Sequence, residues 1–194
     1  MARSRPIPAL AVGLALFAGA TGPARGDPGP RDVFPQPPLS SGHYLHIPGI
    51  AFRPLAPTPV RQSARGVSLI CPDGAPFSFL EAWFSPPHGA RLELVQFNGR
   101  DNSSQQNQSM FLFRVCHNPV GAPGSAATAT ILGVAATSGT SDYYQVAITP
   151  PGTELVDAFQ CRYLLRVQLT AQGVACLGEN MILDRALVAY EVLP

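Results

Sequence analysis

Short apolar runs recur along this chain, each alternating with polar residues and each bounded by turn residues. The plainest alternation lies near the C-terminal end. Cys161, Tyr163, Leu165, Val167 and Leu169 fall on one face, and Arg162, Arg166 and Gln168 fall on the other. A period of two is that of a β-strand with one face buried. Leu92 and Leu94 alternate with Arg91 and Glu93 in the same way. The pattern predicts strands over residues 44–52, 67–70, 77–84, 91–97, 110–116, 128–136, 143–148, 161–169 and 183–192. The connectors carry turn chemistry, as in Pro72-Asp73-Gly74, Pro86-Pro87-His88-Gly89, Pro123-Gly124-Ser125, Ser138-Gly139-Thr140 and Pro150-Pro151-Gly152. Prolines interrupt any helix longer than a turn or two. Short, regularly spaced strands of this kind predict an all-β fold, an antiparallel β-sandwich of Greek-key or jelly-roll type.

The pattern begins at residue 42, and the chain before it is of another kind. Arg3 and Arg5 precede an apolar run from Ile7 to Ala18, followed by the small-x-small triplet Ala18-Gly19-Ala20. Residues 1–20 therefore read as a secretory signal peptide, with cleavage as late as residue 26. Residues 21–41 are rich in proline and glycine and read as an extended leader. Residues 42–194 form the predicted β-sandwich domain. After the signal, no apolar run is long enough to span a bilayer, so no transmembrane segment is predicted.

Export changes how the cysteines are read. Cys71, Cys116, Cys161 and Cys176 are widely spaced, with no C-x-x-C pair. In an oxidising compartment an even set of this kind reads as two structural disulfides, whose pairing has three alternatives. Cys161 shares the inward face of Tyr163 and Leu165, so its bridge is expected to be the more buried. A zinc site is not predicted.

The formal net charge is +1, and all the basic side chains apart from histidine are arginine. The balance argues against nucleic acid as a partner. The absence of lysine excludes a Schiff base, a phosphate-cradling P-loop lysine and a Ser-Lys dyad. There is no G-x-S-x-G elbow and no H-E-x-x-H. No cofactor is predicted.

The remaining candidates are few. Trp83, Phe84, Tyr143, Tyr144 and Tyr190 are aromatic residues of a kind that stacks on sugar rings. Strand parity makes Trp83 and Tyr144 the outward pair, hence the candidate sugar platform. Asn98, Asp101 and Asn102 lie in an oxygen-rich stretch, Asn98 to Ser104, that offers hard ligands to calcium. With only one carboxylate, the stretch reads more simply as an ordinary solvated turn. Glu81 and Glu93 sit on neighbouring predicted strands, where they would face each other as a carboxylate pair or as two solvated side chains. His43 and His46 are three apart, so on a strand their rings diverge rather than share an ion. His88 or His117, gathered with an acid and a serine, would mark a hydrolase. Asn102-Ser103-Ser104 and Asn107-Gln108-Ser109 match the glycosylation sequon, which matters only in a eukaryote.

Ile47-Pro48-Gly49-Ile50-Ala51-Phe52 resembles the "IPG-x-AF" opening of a loosely defined group of uncharacterised exported bacterial proteins. Similar to that group are the cysteine that follows (Cys71), the Pro87-His88-Gly89-Ala90 strand end, the Asn98 to Ser104 loop and the Tyr163 to Leu169 "Y-x-L-x-V-x-L" strand. A closing strand from Ala186 to Val192 completes the likeness, although Leu164 fills a usually polar place and four cysteines exceed the group's usual number. The resemblance implies a secreted β-sandwich and brings no activity and no site residues. The chain is thus read as an exported, non-catalytic β-sandwich with a structural or binding role, whose ligand is a glycan or a protein. The alternatives are a carbohydrate-binding module and a hydrolase with a loop-assembled site.

Overall fold

A computed structural model describes residues 43–55, 60–62, 68–75, 79–104, 106–117, 127–138, 141–152, 154–170 and 174–194. The signal peptide over 1–20 and the leader over 21–41 lie outside them, as do the Pro123-Gly124-Ser125 turn and the start of the strand expected at 67. The described strands are β1 (His43–Pro48), β2 (Arg53–Pro54), β3 (Arg61–Gln62), β4 (Leu69–Ile70), β5 (Phe79–Phe84), β6 (Arg91–Asp101), β7 (Ser109–Cys116), β8 (Thr128–Ala136), β9 (Ser141–Ile148), β10 (Cys161–Gln168) and β11 (Met181–Glu191). Two single turns of 3₁₀ helix, Gly49–Ala51 and Gly178–Asn180, join them.

The strands form two antiparallel sheets. Sheet I has the order β3-β4-β11-β6-β9, with β1 also pairing β11, and sheet II has the order β2-β5-β10-β7-β8. Four ladders define the topology: β4 with β11, β5 with β10, β6 with β9, and β7 with β8. These are the rungs of one long hairpin rolled up across two sheets, which is a jelly roll. The Greek-key expectation is met in that form.

One core lies between the sheets. Val95, Phe97, Leu183 and Val188 come to it from sheet I, and Leu80, Leu112, Tyr163 and Leu165 come from sheet II. On β10 the alternation follows the sequence. Tyr163, Leu165 and Val167 are fully buried, and each such side chain contributes about 1.5–3 kcal/mol through burial. Leu92 and Leu94 do not share a face as the sequence implied. A bulge opposite Ala189 and Tyr190 makes Glu93 an extra residue, so parity slips and Val95, not Leu94, continues the inward face.

Both disulfides form. Cys71 pairs with Cys176 and Cys116 with Cys161. The more buried bridge is not that of Cys161, contrary to expectation. Cys71 and Cys176 are 5% and 1% exposed, whereas Cys116 is half-buried beside the exposed Thr128 and His117 at the end of sheet II. Parity aims a side chain inward, but at a strand end no neighbouring layer closes over it.

Candidate functional site

The two members of the expected sugar platform are on different sheets. Trp83 lies on β5 of sheet II and is 53% exposed; Tyr144 lies on β9 of sheet I and is 5% exposed. Tyr144 is opposite Gly99 on β6, and its ring occupies the space that a side chain there would need: a Cβ on Gly99 would meet the Tyr144 ring and the Ile182 carbonyl. Its hydroxyl donates to Gln108 Oε1 at 2.8 Å. Burial, together with the nearby charges of Asp184 and Asp101, holds this phenol well above the usual tyrosine range. Tyr144 is thus a core residue, and the platform as a pair does not exist.

The calcium candidates are also drawn into the fold. Asn98, Gly99, Arg100 and Asp101 are not a loop but the last residues of β6, paired with β11 and β9. Asp101 is fully buried and its carboxylate is occupied, accepting from the Ser103 N–H at 3.1 Å and from the Thr137 hydroxyl. Asn98 Oδ1 accepts from Gln96 Nε2, and the Asn102 N–H donates to the Asn180 carbonyl. An acceptor that already holds donors is a poor ligand for a cation. Among the described residues no cluster of three His, Cys, Asp or Glu could hold a metal ion.

Glu81 and Glu93 are on different sheets and do not face each other. His43 pairs with Tyr190 and stacks on it, while His46 pairs with Leu187, so the two rings take opposite faces. His88 meets Asp157 at 3.8 Å and Phe159 at 4.4 Å between ring centroids. Asp157 Oδ1 also accepts from the N–H groups of Phe159 and Gln160, which makes this cluster a loop closure. His117 attaches to the same loop through its backbone, whose N–H donates to the Gln160 carbonyl.

What the fold assembles instead is the outward face of sheet II. Strand register places its side chains in rows. Arg53, Glu81, Arg166, Phe111 and Val134 form one row across β2, β5, β10, β7 and β8. Trp83, Leu164, Phe113 and Ile131 form the next. Arg166 sits at the centre. Its Nε donates to Glu81 Oε1 at 2.7 Å, and its guanidinium lies 5.1 Å from the ring centroids of both Phe79 and Phe113. Arg166 is therefore half-buried rather than solvated, as its outward parity alone implied. The ion pair and two aromatic faces hold it flat against the sheet.

Beside this centre a cleft of about 380 Å³ opens between β2 and β5, lined by Arg53, Leu55, Glu81 and Trp83. Arg53 is exposed and faces the cleft with no ion pair among the described residues; the Glu81 carboxylate beside it is taken by Arg166. Trp83, Ile131 and Val134 each leave more than half of their area in solvent. Sequence reading found Trp83 by parity but missed Arg53, Arg166 and Phe113. Phe111, Phe113 and Val115 carry a period-two signal of their own, outward from Met110 and Leu112. Cross-strand neighbours are not legible in one sequence.

No protein-family model matches the chain, and no curated protein matches it. Among solved structures it is similar to a xylan-binding domain from CBM 22, formally x6b domain, at 14% identity and a TM-score of 0.44 over 80% of this chain and 99% of that one. It is also similar to the Podospora anserina GH26-CBM35 beta-(1,4)-mannanase, at 9% identity and a TM-score of 0.43 over 78% of this chain. The chain spans 28% of the length of that mannanase. Likenesses of this size carry no argument about ligand or activity, which rest on the site itself.

Proposed function

We propose that this protein is an exported, non-catalytic binding module, a member of the bacterial group it resembles, and that the outward face of sheet II binds a glycan. One observation carries the reading. Trp83 is held open to solvent on a strand whose other large side chains are covered, and it stands at the wall of a cleft that also presents Arg53. An indole face costs free energy in water and gains it against the C–H face of a pyranose. An arginine beside it supplies donors for hydroxyls or an acid group. The disulfides support a location outside the cytosol, in the periplasm or beyond it.

The chain has a single tryptophan, so its fluorescence reports on this site alone. Titration with soluble glycans should shift the emission to shorter wavelength as the indole is covered. Emission that stays fixed with every class of glycan refutes the assignment.

A further inference from the structure

The outward face of sheet II is unevenly charged. Its strands contribute Arg53, Arg162 and Arg166 against one acid, Glu81. Glu81 is committed to Arg166. That leaves Arg53 and Arg162, both exposed and neither in an ion pair among the described residues. The whole chain carries a net charge of only +1, so an excess of two on one face is a local feature.

These two arginines bracket the tryptophan. Arg53 is on β2 in the row of Glu81; Trp83 is on β5, one row further; Arg162 is on β10, two residues beyond Leu164, the cross-strand partner of Trp83. Arg53, Trp83 and Arg162 therefore lie on a diagonal across three adjacent strands. With about 6.7 Å for two residues along a strand and about 4.8 Å between strands, the ends of this diagonal are about 16 Å apart. Trp83 stands at its midpoint. The span suits a short run of linked sugar rings rather than a single ring.

Resting on the glycan reading above, we infer that the ligand is an acidic polysaccharide, a chain of uronate-type sugars, with one ring stacked on Trp83 and carboxylates on either side paired with Arg53 and Arg162. The chemistry on the face selects this class. A guanidinium pairs with a carboxylate through two parallel hydrogen bonds, a geometry that a neutral hydroxyl does not match. Glu81, neutralised by Arg166, adds no repulsion. The long-range attraction between a positive face and a polyanion also raises the rate of encounter, and salt weakens it.

The test uses the full mature protein with polygalacturonate, neutral xylan, neutral mannan and vesicles containing phosphatidylserine. Calorimetric affinities at low and at moderate salt are compared for the native protein, Arg53→Gln, Arg162→Gln, the double variant and Trp83→Ala. We expect polygalacturonate to bind at least tenfold more tightly than either neutral glycan. The double arginine variant should lose that preference, Trp83→Ala should lose binding altogether, and added salt should weaken the native protein more than the double variant. Equal affinity for neutral and acidic chains, unchanged in the double variant, overturns the acidic class and leaves the glycan reading standing. Binding to none of the three glycans overturns both. Binding to the vesicles with no binding to any of the three glycans overturns both as well, and makes the face a membrane-docking surface.

Discussion

On the outward face of sheet I, Gln96 and Asn98 are each 3% exposed. Gln145 Nε2 donates to Gln96 Oε1 at 2.9 Å, and Gln96 Nε2 donates in turn to Asn98 Oδ1 at 3.1 Å. Polar groups are hidden there, and an amide ladder satisfies most of them, although Asn98 Nδ2 has no partner among the described residues. On the outward face of sheet II the situation is reversed, with Trp83, Ile131 and Val134 in solvent. One face removes polar groups from water and the other presents apolar groups to it. The first arrangement is accounted for within the fold by its hydrogen bonds, whereas apolar area left in water gains the fold nothing, so the second points to an explanation outside it. That difference is what supports the proposal that sheet II is the ligand-binding side.

The sharpest contrast lies within β10. Leu165→Ala should cost about 2–5 kcal/mol, because the side chain is fully buried between the sheets. Arg166→Ala, the adjacent outward residue, should cost about 1–2 kcal/mol through loss of the Glu81 pair and the two ring contacts. Urea unfolding of both variants checks the ordering. Equal losses would mean that β10 is buried on both sides.

A second experiment compares the two outward faces directly. Gln96→Leu leaves Asn98 Oδ1 without its donor and Gln145 without its acceptor, and should cost about 1–3 kcal/mol. Trp83→Ala should stay within about 0.5 kcal/mol of the native protein. If the tryptophan variant proves the less stable of the two, Trp83 is a packing residue and the contrast fails.

Alkaline pH separates the buried tyrosines from the exposed surface. Burial, and the hydrogen bond from the Tyr163 hydroxyl to Glu154, raise the Tyr163 phenol far above its ordinary value; Tyr144 is raised in the same direction. The unfolded chain releases these protons near pH 10 while the folded chain keeps them. Stability from both groups is therefore complete below about pH 10 and is lost as pH rises through the folded values, by about 1.4 kcal/mol per pH unit for each. The chain has no lysine and, with both disulfides formed, no free thiol to confuse the titration. Tyr163→Phe should reduce the slope of stability against pH above 10 by about half. An unchanged slope would show that Tyr163 is not protected.

Much of the fold was legible because a strand shows its period locally. The β10 alternation, the strand positions and the disulfide count all follow from residues within reach of one another in sequence. Bulges escaped, since the extra residue at Glu93 is defined only against its partner β11. Tyr144 was misplaced for a related reason: Gly99, which makes room for its ring, belongs to another strand. The site was half legible. Trp83 stood out as an outward aromatic, but the diagonal from Arg53 to Arg162 exists only through the registers of β2, β5 and β10.

We propose that the outward face of sheet II binds a glycan through Trp83. The most direct test is the emission of that one tryptophan as polygalacturonate is added to the native protein, with Gln96→Leu as a control on the opposite face. A saturable shift to shorter wavelength is expected in both proteins. Calorimetric binding of the glycan with no change in tryptophan emission would place the ligand elsewhere and contradict it.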